Sequence, residues 1–159
     1  MRSSGEAVPA LFLSTFINKI DSKGRVSVPA SFRAALIGHA STAIVAYPSI
    51  KFEAIEAAGS DRFEELATRV DRLPEFSDER DSLSSILADS QPLPFDSEGR
   101  IMLTQKLVAH AGLQSNAAFV GLGRTFQIWD PGRFARHQEE MRDRARQRGL
   151  TLPPLGGAT

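Results

Sequence analysis

One short pattern occurs twice in this chain and in the same frame: Asp21-Ser22-Lys23-Gly24-Arg25 and Asp96-Ser97-Glu98-Gly99-Arg100. Each copy follows an extended apolar run and precedes a short aliphatic one, Val26-Ser27-Val28 in the first and Ile101-Met102-Leu103 in the second. That context makes both of them hairpin turns. Asp at the first place accepts from backbone N–H groups two residues on, and Gly at the fourth tolerates the left-handed conformation that closes the turn. From Asp21 to Asp96 the offset is 75 residues, and the agreement continues at that offset: Val26 and Val28 fall on Ile101 and Leu103, and Ala43-Ile44-Val45 on Ala118-Phe119-Val120. The chain is therefore an internal repeat. Each copy reads as strand, turn, strand, helix, strand, too small to bury a core alone, so the copies must complete one another. The predicted fold class is α+β: a pseudo-symmetric β-barrel of two tandem repeats with short helices, from which the two turns project.

In order, residues 1–10 carry Ser, Gly and Pro without periodicity and read as a disordered extension with no apolar signal segment. The first repeat is expected over 11–59. It has a strand Leu11–Ile20 that bends, a strand Arg25–Val28, a helix from Pro29 ended by Gly38, a strand Ala43–Tyr47 and a helix Ser49–Ala58 closed by Gly59. A helical insert follows over 60–92. Phe63, Leu66, Ala67 and Val70 keep helical spacing behind a Ser60 cap, Ser77 caps a second helix, and Pro92 and Pro94 return the chain to extended geometry. The second repeat, 93–148, repeats the order, with Thr104 capping a helix Gln105–Ala111. It adds a turn Gly121–Arg124, an extra strand Thr125–Trp129 and a closing helix Pro131–Arg148; 149–159 reads as a flexible tail.

The formal net charge is zero, but the charge is not evenly spread. Asn18 to Arg33 holds four cations (Lys19, Lys23, Arg25, Arg33) against Asp21 alone, while Glu53 to Asp89 holds four cations against eleven anions. A basic turn region and an acidic middle suit a chain that meets an anion on one face. No cysteine is present, which excludes disulfides, thiolate metal sites and a cysteine nucleophile and suits a cytoplasmic setting. His39, His110 and His137 lack ligand spacing, so no metal or other cofactor is expected. No serine elbow, phosphate-binding loop or carboxylate cluster appears, so neither an enzyme nor a small-molecule substrate is expected, and no run reaches membrane length. Tyr47, Phe126 and Trp129 read as core or interface residues rather than base-stacking platforms.

Leu11-Phe12-Leu13, the Asp-x-x-Gly-Arg turn followed by Val-Ser-Val-Pro, its second copy, and Phe119-Val120-Gly121-Leu122-Gly123 with Phe126-Gln127-Ile128-Trp129-Asp130-Pro131 together resemble the bacterial MraZ family over roughly 11–148. The resemblance implies an AbrB-like swapped-hairpin fold and a nucleoid-associated, ring-forming homo-oligomer. It further implies a transcription regulator acting on the promoter of its own cell-division and cell-wall gene cluster. It places the contact to double-stranded promoter DNA on Arg25 and Arg100, beside Lys23, with Asp21, Gly24, Asp96 and Gly99 forming the turns. The chemistry of the residues agrees: a guanidinium donates two hydrogen bonds to guanine in the major groove, and Lys19, Lys23 and Arg33 suit phosphates. The copies differ, since Glu98 stands where the first has Lys23 and Thr104 where it has Pro29, so Arg25 is expected to matter more than Arg100. A rival reading is an AbrB-like antitoxin or assembly module whose main partner is protein. The arginine-rich closing helix suits a solvated face or pairing with the acidic insert.

Overall fold

The computed structural model describes residues 11–154; the extension expected over 1–10 and the last five residues of the tail lie outside the described residues. The first repeat gives β1 (Thr15–Lys19), β2 (Arg25–Ser27), α1 (Ala30–Gly38), β3 (Ile44–Pro48), β4 (Ile55–Gly59) and α2 (Ser60–Asp71). After α3 (Asp78–Ala88) the same order returns as β5 (Gln91–Leu93), β6 (Arg100–Met102), α4 (Gln105–Ala111), β7 (Asn116–Gly121), β8 (Phe126–Trp129) and α5 (Pro131–Arg148).

The strands pair across the repeats. A six-stranded sheet runs β1-β7-β8-β4-β3-β5, every described pairing antiparallel, and β2 with β6 forms a separate two-stranded ribbon. Exchanging each strand for its counterpart (β1 with β5, β3 with β7, β4 with β8) reproduces the same order read backwards, so a pseudo-two-fold axis passes between β4 and β8. In the ribbon the axis falls at Val26 opposite Ile101, equivalent positions of the two copies. The bonds Leu103 N–H to Gly24 O (2.9 Å) and Val28 N–H to Gly99 O (3.2 Å) are symmetry mates.

Three expectations are corrected. The strands do not form a closed barrel: β1 and β5 are free edges of the main sheet among the described residues, and an isolated Ile20–Val26 bridge just past β1 is the backbone pairing that joins it to the ribbon. Pro92, which has no N–H, sits in the three-residue edge strand β5, where a missing donor does least harm. The segment Ser49–Ala58 is not a helix. Ser49 Oγ accepts from the N–H of Lys51 and of Phe52 in a local turn, and β4 then runs between β3 and β8. Ala and Glu favour helix in isolation, but this stretch is buried with strands on both sides, and that burial overrides propensity. As a result the extra strand expected only in the second copy has a first-copy counterpart, β4. Finally, Ser60 is the first residue of α2 and makes no capping bond. By contrast Ser77, Thr104 and Asp130 accept from the N–H of Arg80, Leu107 and Arg133. The long first strand is interrupted at Ser14, whose φ is +74°, so that Phe12 pairs with Gly123 before β1 begins.

The core is shared equally. Phe12 and Phe32 of the first copy meet Phe119 and Phe126 of the second in one fully buried group, with Phe12–Phe32 and Phe12–Phe126 centroids 5.2 and 4.9 Å apart. Val26, Val28, Ile101, Leu103 and Leu107 extend it beneath the ribbon. No helix among the described residues is long and apolar enough to cross a membrane. Because Ile101 is 1% exposed at the axis, Ile101→Ala is expected to cost about 2–5 kcal/mol, read as a lower urea midpoint at unchanged m value.

Candidate nucleic-acid interface

Each turn is closed by its aspartate. In the first, Asp21 Oδ1 accepts from the backbone N–H of Lys23 (2.9 Å) and Arg25 (2.8 Å), and Oδ2 accepts from Arg25 Nε at 2.7 Å. Asp96 does the same for Glu98 (2.8 Å), Arg100 (3.0 Å) and Arg100 Nε (2.8 Å). Gly24 and Gly99, at φ +86° and +76°, supply the left-handed residue that brings the chain back, a conformation any other side chain would strain. One carboxylate thus both folds the loop and fixes the side chain of the arginine at its end. The two repeats reach the same geometry because four of the five turn residues are identical, Lys23 and Glu98 being the one difference.

The clamp decides which donors remain. With Nε held by Asp21, both Nη groups of Arg25 have no partner among the described residues, which leaves their N–H donors for a bidentate acceptor. Arg100 is held identically, but its Nη2 also lies 3.7 Å from a Glu98 carboxylate oxygen. Hydrogen bonds from the backbone of Arg25 and Arg100, respectively, lead the effects that hold the Asp21 and Asp96 carboxyls below the usual aspartate range. The Asp96 hydrogen bond raises Arg100 further above its already high value.

The ribbon sets the distance between the two arginines. Alternation along β2 and β6 turns Val26 and Ile101 into the core and leaves Arg25, Ser27, Arg100 and Met102 on the outward face. Arg25 stands opposite Met102 and Ser27 opposite Arg100. The arginines are therefore diagonal neighbours, about 7–8 Å apart, roughly two base-pair rises. Asn18 Nδ2 donates to Ser27 O at 2.7 Å and ties the end of β1 to this ribbon.

Of the other cations singled out from the sequence, Lys19 ends β1 beside the first turn and Lys23 is exposed within it. Arg33 is elsewhere. From α1 of the first repeat it donates to Val28 O (3.3 Å) and lies over the second turn, where a Cβ on Gly99 would collide with its guanidinium. The cation counted with the first turn in the sequence thus lies against the second, which has Glu98 in place of a lysine. Chain order hid this, because ribbon pairing sets α1 against the other repeat's turn. Ser27 and Met102 were also not singled out, although the period-2 pattern around buried Val26 and Ile101 carries the signal.

The remaining candidates belong to packing. Phe126 and Trp129 are buried, and Tyr47 packs edge-on against Phe63 at 6.1 Å. His137 stacks on Trp129 (4.7 Å), His110 Nε2 lies 3.1 Å from Phe52 O, and His39 meets the Phe12 ring edge-on. No group of three His, Cys, Asp or Glu suited to a metal occurs among the described residues. The α5 arginines make ion pairs with Glu53 and Asp143, and none with the acidic segment 60–89 among the described residues.

Residues 86–150, from within α3 through α5, match a family described as "MraZ protein, putative antitoxin-like". Over 136 residues the chain is 48% identical to the transcriptional regulator MraZ of Pelagibacter ubique, covering 85% of this chain and 88% of that protein. The chain belongs to the MraZ family. MraZ regulators of Beijerinckia indica (46% over 136 residues, 85% of this chain and 83% of that protein) and Rickettsia canadensis (42% over 143 residues, 89% and 96%) are similar over the same extent. The second clamped turn falls within the residues matched by the family.

The depressed carboxyls carry a sign. Both clamps are fully formed above the ordinary aspartate value of about 3.9 and are lost as pH falls through the lower folded values. Carboxyl-detected NMR titration should place both Asp21 and Asp96 below that ordinary value, and Arg25→Ala should move Asp21 upward while leaving Asp96 in place.

Proposed function

We propose that this chain is a DNA-binding transcriptional regulator that lays the outward face of the β2–β6 ribbon in the major groove, with Arg25 and Arg100 each donating to guanine O6 and N7. The observation that carries this reading is the pair of carboxylate-clamped arginines, diagonal neighbours on one outward face, with the Nη donors of Arg25 unspent and Nη2 of Arg100 near Glu98 alone. Donors pre-aimed in this way lose little freedom on binding. Lys19 and Lys23 flank the first turn and Arg33 the second, where they would neutralise phosphates. The names of the relatives support a regulator. Following the family resemblance, the protein would repress the promoter of its own cell-division and cell-wall gene cluster as a nucleoid-associated cytoplasmic ring. Several ribbons of such a homo-oligomer would engage repeated G-containing sites, and their linkage multiplies a modest single contact.

A binding titration on the DNA upstream of the protein's own gene, at two salt concentrations, tests this. Arg25→Ala and Arg100→Ala should each weaken binding about 5- to 150-fold, the range of one bidentate base contact, with the larger loss at Arg25 because Glu98 already competes for Arg100. Wild-type affinity in both variants would exclude the ribbon as the reading element. Lys23→Ala and Arg33→Ala should each reduce the salt slope by about 1. Glu98→Lys should bind more tightly than wild type and steepen the slope.

A further inference from the structure

The pseudo-two-fold axis exchanges Arg25 with Arg100, so the arginines match. It also exchanges Ser27 with Met102, and these do not match. The reading face therefore has two unlike halves: Arg25 beside Met102, and Arg100 beside Ser27. The ladder makes the juxtaposition close. Backbone bonds link Gly24 with Leu103 and Val28 with Gly99, so Val26 and Ile101 occupy the intervening hydrogen-bonded position. The Arg25–Met102 and Ser27–Arg100 pairs are then the narrow, non-hydrogen-bonded ones, with Cα atoms about 4.5 Å apart.

Met102 is out of keeping with its surroundings. Its neighbours Ile101 and Leu103 are 1% and 4% exposed, whereas Met102 is 54% exposed, a flexible apolar side chain opposite Arg25 and two residues along the strand from Arg100. The core has no use for it there. Among the groups that the major groove displays, the C5 methyl of thymine alone offers an apolar surface. A thioether chain is long and supple enough to cover that methyl while the adjacent arginine holds a guanine. A serine hydroxyl, on the other half, accepts or donates to any polar edge and has no such preference.

We propose that Met102 is a specificity-determining residue that packs on the C5 methyl of a thymine next to the guanine read by Arg25, and that the Arg100 half lacks this reading. The inference rests on the assignment of the ribbon face to the major groove. It gives each chain a defined direction on its site although the backbone is nearly symmetric.

The test removes the methyl and nothing else. In the duplex from upstream of the gene, each thymine is replaced singly by uracil, and affinities are measured for wild type, Met102→Ala and Arg25→Ala. Wild type should lose about fourfold at a thymine within each bound site, the equivalent of one buried methyl-sized group, and Met102→Ala should bind thymine and uracil duplexes equally. Because Met102 is exposed, the alanine variant keeps the fold, which circular dichroism and the urea midpoint verify. No uracil-sensitive position in wild type, or the same sensitivity in Met102→Ala, overturns the inference. If Arg25→Ala still weakens binding in that case, the ribbon reading survives and Met102 alone is misassigned; if Arg25→Ala also binds as wild type, the ribbon reading fails first.

Discussion

Neither repeat of this chain can complete its own hydrogen-bond ladder, and the architecture follows from that. In the main sheet β1 of the first repeat pairs with β7 of the second, and β5 of the second pairs with β3 of the first, while β4 and β8 meet at the axis. The aromatic core is divided in the same way, with two phenylalanines from each copy. A single copy would leave unpaired strand edges and half a core, and exposed backbone donors and acceptors are costly when buried and adhesive when not. The duplication is thus a requirement of folding.

Interleaving also builds the face proposed to read DNA. The hairpin turns emerge where β1 leads to β2 and β5 leads to β6, and pairing β2 with β6 brings together arginines that lie 75 residues apart, from Arg25 to Arg100, as diagonal neighbours. The aspartate of each turn couples loop closure to side-chain aim, since one carboxylate holds both the backbone N–H and Nε of its arginine. Each guanidinium is held through Nε, which leaves both Nη groups of Arg25 without a partner among the described residues and Nη2 of Arg100 beside Glu98. The same interleaving redistributes charge, carrying Arg33 of the first copy to the second copy's turn. Two outward positions escape the symmetry, Ser27 and Met102, and they give a nearly two-fold scaffold two chemically different halves.

Much of this was legible in the residues. The twin Asp-x-x-Gly-Arg turns, helices α1, α4 and α5, the Thr104 and Ser77 caps and the bend in the first strand all follow from local rules, because turn chemistry and capping act over a few residues. The Ser60 cap failed locally, because the helix begins at Ser60 itself, and the two larger failures had a common cause. Ser49–Ala58 carries helix-forming residues and becomes a turn and a central strand, since its fate is set by strands distant in sequence that bury it from both sides. The barrel likewise depended on edges meeting, and β1 and β5 do not meet.

The sequence by itself determined the repeat, the two turns and the chemistry at their tips, because Asp, Gly and Arg at those spacings close a hairpin and present a guanidinium whatever surrounds them. Tertiary structure decided which strands pair, hence that Arg25 faces Met102, that Arg33 lies against the turn it does not precede, and that both arginines share one face. Pairing register is a long-range property: one residue of slip in β2 against β6 would send Arg25 into the core and Val26 out of it, and the burial of Val26 against Ile101 forbids it.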